Sequence, residues 1–101
     1  MFSIDFDEAG HVVMSGRLDA AQAAHAQEFL DHVHGACQVD MKELEYISSA
    51  GLGVLLKTHK RLMTVAGQPG VDGLQLVNVN HHINDIFRYS GFDKLFSINK
   101  L

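Results

Sequence analysis

Cysteine is almost missing from this chain: Cys37 stands alone among 101 residues. A lone thiol cannot close an internal disulfide, so a reducing, cytoplasmic setting is expected. Basic residues are few as well, with 8 Lys and Arg against 12 Asp and Glu and a net charge of −4. Binding nucleic acid without regard to sequence needs clustered cations that displace counterions, so no direct nucleic-acid partner is expected. Long apolar runs are missing too. None approaches the ~20 residues that cross a bilayer, and Met1-Phe2-Ser3-Ile4-Asp5 lacks the basic start and apolar stretch of a signal peptide. Neither membrane insertion nor a targeting segment is expected. What is present is the balance of a globular protein, 47% apolar and 20% charged. The length gives room for one core, so residues 1–101 are read as a single domain.

Periodicity divides the chain into alternating elements. Phe2 to Phe6 alternates apolar and polar residues as a half-buried strand does, Asp7-Glu8-Ala9-Gly10 supplies a turn, and His11 to Leu18 offers a second strand of a hairpin. Asp19 is a good N-cap for a helix whose Ala23, Ala26, Leu30 and Val33 recur at helical spacing and which is expected to end near Gly35. Ala36 to Met41 reads as a short third strand. After Ser48-Ser49 an amphipathic helix carries Leu52, Leu55, Leu56, Leu62, Met63 and Ala66 on one stripe, with Lys57, Lys60 and Thr64 turned away, and stops at Gly67-Gln68-Pro69-Gly70. Leu74 to Val79 suits a central strand. Asn80 caps a third helix with Ile83, Ile86 and Phe87 inward and Gly91 at its end, and Leu95 to Ile98 offers a last strand. This order implies an α/β fold with a four- to five-stranded mixed sheet and helices mainly on one face.

Chemistry is concentrated between Asp40 and Leu56. There a strand leads through two hydroxyls and small residues straight into a helix. Ser48 and Ser49 fall at the helix start, where unpaired N–H groups and the positive end of the macrodipole favour a negative group. A phosphate added to Ser49 would be stabilised there. Ala50, Gly51 and Gly53 would leave the hydroxyl uncovered. Serine is also a preferred N-cap, so residue chemistry alone keeps a plainer reading in force: one serine caps the helix and the glycines allow tight packing.

Tyr46-Ile47-Ser48-Ser49-Ala50-Gly51-Leu52-Gly53-Val54-Leu55-Leu56 resembles the signature of STAS domains, the sulphate transporter and anti-sigma factor antagonist family. Gly16-Arg17-Leu18-Asp19, Val39-Asp40, Leu76-Val77-Asn78-Val79-Asn80 and Ser90-Gly91-Phe92-Asp93-Lys94-Leu95-Phe96 resemble further family segments in the family's order. The resemblance implies a non-enzymatic switch without a cofactor. In bacterial anti-sigma factor antagonists the serine two positions before the Gly-Leu pair, here Ser49, is phosphorylated by an anti-sigma factor that is itself a serine kinase. The unphosphorylated form binds that kinase and frees a sigma factor; phosphorylation ends binding, and a serine phosphatase resets it. Two positions depart from the best-known members, with Ser48 where they carry an acidic residue and Gly53 where many relatives carry a larger one. The implied contact surface is Ser48, Ser49, Ala50, Gly51, Gly53, Lys57 and Val54, the last partly turned outward.

Other chemistries fit less well. The 7 histidines include neighbours such as His81 and His82, which diverge on a helix, and no Cys/His spacing matches a zinc site, so no metal is expected. A serine hydrolase would need a base near Ser49 and a Gly-x-Ser-x-Gly elbow; His59 lies two and a half helical turns on, and the serine sits in Ser-Ser-Ala-Gly-Leu, so no catalytic residue is assigned. The remaining alternative is a non-switching STAS module that serves as a scaffold or as a transporter-associated subunit.

Overall fold

The computed structural model describes residues 1–66 and 73–101, the last three of the first span by backbone alone. The expected helix stop at Gly67-Gln68-Pro69-Gly70 and the side-chain positions of Thr64 and Ala66 lie outside the described residues. The elements are β1 (Phe2–Phe6), β2 (Val12–Leu18), α1 (Ala23–Leu30), β3 (Cys37–Ile47), α2 (Ser49–Ala66), β4 (Leu74–Val79), α3 (His81–Ser90), a 3-10 turn (Phe92–Lys94) and β5 (Ser97–Lys100). The five strands form one sheet in the order β1-β2-β3-β4-β5. β1 and β2 pair antiparallel through a turn in which Asp7 Oδ1 accepts the N–H groups of Ala9 and His11, both at 2.9 Å. All later neighbours are parallel, which the intervening helices permit. The sheet is mixed, as expected.

Buried strand residues fall on one face. Ile4, Val12, Met14, Leu18, Val39, Met41, Leu44, Ile47, Leu74, Leu76 and Val79 join Ala26, Leu30, Leu52, Leu55, Leu62, Ile83 and Phe87 of the helices in one core. The opposite face carries Ser3, Asp5, Ser15, Glu43 and Glu45. The helices thus cover a single face, as expected. No helix among the described residues is long and apolar enough to cross a membrane.

Several expected boundaries moved for physical reasons. β3 runs to Ile47 rather than ending at Met41, because register shifts against β2 insert extra residues on β3 after Asp40 and after Leu44. Each extra residue resets the alternation, so Leu44 and Ile47, three apart, both reach the core. The first helix begins at Ala23, not directly after Asp19; Asp19 Oδ1 accepts the Gln22 N–H at 3.1 Å and so closes a turn ahead of the helix. It ends at Leu30 rather than near Gly35, with Val33 buried from the following segment. Met63, expected on the apolar stripe, is 47% exposed. The last strand starts at Ser97; Leu95 is exposed and Phe96 supplies the buried contact.

Asn80 performs its expected capping and a second task. Its Oδ1 accepts the Ile83 N–H at 3.0 Å, and its Nδ2 donates to the carbonyls of Leu44 at 2.8 Å and of Met41 and Lys42 at 3.3 Å. One side chain therefore fixes the start of α3 and the irregular stretch of β3.

Candidate functional site

The end of β2 and the end of β3 lie side by side, Leu18 opposite Ile47, and α2 begins after the single intervening residue Ser48. The Ser48 N–H donates to the Leu18 carbonyl at 2.9 Å, which extends the strand pairing by one residue. The Ser48 carbonyl then accepts the Leu52 N–H at 2.9 Å, and its Oγ accepts the Gly51 N–H at 3.2 Å. Ser48 is the N-cap. Its hydroxyl is committed to the helix, and the residue is half-buried.

Ser49 is the first residue of an 18-residue helix and is exposed, as are Ala50, Gly53 and Lys57. The capping role expected of one serine thus falls to Ser48 and leaves the Ser49 hydroxyl in solvent. A phosphate at that position would lie within the first turn, where the helix dipole favours anions.

Two residues expected on the contact surface are not there. Gly51 is buried: a Cβ at that position would stand 2.8 Å from Leu18 Cγ and 2.9 Å from Ile47 Cγ1. Its lack of a side chain lets the helix start press against the strand ends, which is the tight-packing role, and does not uncover the serine. Val54 is 8% exposed and belongs to the core. The third residue beyond Gly51 lies on the same inward side of the helix. Gly53 has open space where a Cβ would sit. The exposed part of the expected surface is therefore Ser49, Ala50, Gly53 and Lys57, with Ser48 at its edge.

One neighbouring feature escaped the sequence reading. The Arg17 guanidinium carbon lies 4.5 Å from the centroid of the Tyr46 ring. The two residues pair across β2 and β3 just before the site, and Arg17 lines the open face of the sheet with Ser3, Ser15, Glu43 and Glu45, away from the helices. The adjacency of Gly16-Arg17-Leu18-Asp19 and Tyr46-Ile47 across two parallel strands was the signal that could have found it. His59, the histidine that follows on α2, is buried, and its Nδ1 accepts the Leu74 N–H at 2.9 Å. That bond ties α2 to β4.

The protein-family model described as "Mlab, STAS domain" matches residues 4–98. The chain belongs to the STAS domain family. BtrV of Bordetella bronchiseptica, whose name assigns it as an anti-sigma factor antagonist, is 33% identical over 87 residues, which cover 86% of this chain and 70% of BtrV. The STAS fold is equally recognisable in solved structures. An anti-sigma factor antagonist from Mycobacterium paratuberculosis superposes with a TM-score of 0.77 at 20% identity, covering 100% of this chain and 86% of that one. The Bacillus cell fate determinant SpoIIAA, solved in its phosphorylated form, gives a TM-score of 0.65 at 18% identity over 99% of this chain and 92% of that one. These two share the fold with this STAS domain, and by name its relatives are anti-sigma factor antagonists.

Proposed function

We propose that this STAS domain is a cytoplasmic anti-sigma factor antagonist whose binding is switched by phosphorylation of Ser49. The observation that carries the proposal is the division of labour between the two serines: Ser48 Oγ holds the Gly51 N–H while Ser49 stands exposed at the first helical position. BtrV supplies the partner class, and SpoIIAA, with a phosphorylated form, supplies the modification. In this reading the unphosphorylated domain presents Ser49, Ala50, Gly53 and Lys57 to a kinase-type anti-sigma factor and draws it off its sigma factor. The kinase then transfers the γ-phosphoryl group of ATP to Ser49 Oγ. The added charge of about −1.5 to −2 is accommodated by the helix start but not by the interface, and the complex separates. A serine phosphatase restores the hydroxyl.

The test is intact-mass analysis after incubation with ATP and candidate kinase-type anti-sigma factors from the same genome, paired with a pull-down. A gain of one phosphate on Ser49, with loss of the kinase from the pull-down, is the expected result. If no candidate binds the domain or adds mass to it, the switch is overturned in favour of the scaffold or transporter-associated module.

A further inference from the structure

The second asparagine of α3 is used very differently from Asn80. Asn84 is 7% exposed, yet among the described residues its side-chain amide makes no hydrogen bond. Fully buried side-chain polar atoms are all satisfied among the described residues, so the Asn84 amide is one that still reaches an opening. That opening is a groove between α3 and β5. One part, about 370 Å³, is lined by Asn84, Arg88, Asp93, Phe96, Ile98 and Lys100. A second part of about 210 Å³ shares Asn84, Arg88 and Lys100 and is also lined by Val79, His81 and Leu101.

The groove carries two cations, Arg88 and Lys100, and two carboxylates stand close to it, Asp93 in its lining and Asp85 beside Arg88. Arg88 is ion-paired with Asp85 at 3.9 Å, a distance too long for a hydrogen bond, so its N–H donors are not taken up by that carboxylate. Phe96, 8% exposed, and the half-buried Ile98 provide an apolar wall on the same opening.

We propose that this groove binds a small monocarboxylate with a short apolar body. Arg88 and Lys100 face the carboxylate, the Asn84 amide donates to one of its oxygens, and Phe96 and Ile98 cover the hydrocarbon. A bare inorganic anion would answer the cations but leave the apolar wall wet, and a doubly charged one would also be repelled by Asp93. None of these residues belongs to the Ser49 surface, so the proposal stands apart from the phosphorylation switch.

The experiment titrates isotope-labelled protein with 3-methylbutanoate, with its neutral isostere 3-methylbutanamide and with inorganic phosphate, followed by NMR. The carboxylate is expected to give saturable shifts at the Asn84 side-chain amide and along α3 and β5. The neutral amide and phosphate should each bind at least about tenfold more weakly. Arg88→Leu combined with Lys100→Met, two exposed positions whose change leaves the core intact, should lower affinity by at least about tenfold. Asn84→Asp should do the same by placing a negative charge at the floor, while its spectrum elsewhere reports a folded domain. No saturable shift in this region, equal binding of the neutral amide, or unchanged affinity in the double variant would overturn the site. Phosphate binding as tight as the carboxylate would reduce it to an adventitious ion only and overturn the assigned ligand class.

Discussion

At the scale of single residues, two adjacent hydroxyls have different environments and so different expected phenotypes. Ser48→Ala removes the acceptor of the Gly51 N–H and should cost about 1 kcal/mol, read as a lower melting temperature. Phosphorylation should persist in that variant because the Ser49 hydroxyl is untouched. Ser49→Ala should keep the stability and the partner but accept no phosphate. Mass spectrometry and thermal melts of the two variants check both statements, and the reverse pattern would shift the assignment by one residue. The sequence made the pair visible, and the family motif pointed to Ser49. Which serine caps was decided by the Leu18 carbonyl on a neighbouring strand, a contact that no local spacing reveals. Cys37 shows a similar dependence on tertiary surroundings. Burial, with a smaller push from the Asp7 charge and against a backbone hydrogen bond from Val12, raises its pKa above the ordinary 9.0. A raised folded pKa favours the neutral thiol. Alkylation near neutral pH should therefore be slower than for a free thiol, and the stability this residue contributes should be full below about 9 and lost as pH climbs through the raised value. Alkylation at the rate of an unstructured cysteine would contradict this.

At the scale of elements, the helix start makes opposite demands on two glycines. Gly51→Ala would force a methyl against Leu18 and Ile47, so we expect a loss of about 1–3 kcal/mol. Gly53→Ala meets open space and should gain about 0.5–1 kcal/mol from helix propensity. Thermal or denaturant melts of the two variants check the signs; a stabilised Gly51→Ala would mean that α2 does not rest on the strand ends as described. This contrast marks the limit of sequence reading here. Periodicity identified all three helices and the succession of strands and helices along the chain, because a repeat of 3.6 or 2 is a property of neighbours in the chain. It shortened β3 because its register shifts against β2 break the alternation at Lys42-Glu43 and Glu45-Tyr46. It placed Val54 partly outward and Gly51 at the surface because both positions depend on how closely α2 approaches the sheet.

At the scale of the whole molecule, the question is whether a phosphate on Ser49 changes the fold or only the interface. The chain carries a net charge of −4, and phosphorylation brings it to roughly −6. The receiving position is the first turn of α2, where dipole and N–H groups favour an anion by about 0.3–1 kcal/mol. The helix is held beneath that turn by Gly51 against Leu18 and Ile47, and further along by the hydrogen bond from the Leu74 N–H to His59. Neither contact involves the Ser49 side chain. Phosphorylated and unphosphorylated proteins should therefore melt within a few degrees of each other, since about 1 kcal/mol moves a domain of this size by roughly 4–8 °C. Amide shifts on phosphorylation should be confined to the ends of β2 and β3 and the first turns of α2, while partner affinity falls at least about tenfold, or 1.4 kcal/mol. Salt then separates two causes. At an ionic strength of about 0.1 M charges are screened beyond about 10 Å, so repulsion between the phosphate and distant acidic groups of the partner weakens as salt is added, whereas steric exclusion by the phosphate does not. In the proposed interface the phosphate stands on a residue that itself contacts the partner, so raising the salt should restore only a minor part of the lost affinity. Full recovery in high salt would show that long-range charge alone drives release, and shifts spreading into α3 and β5 would show a change of conformation instead.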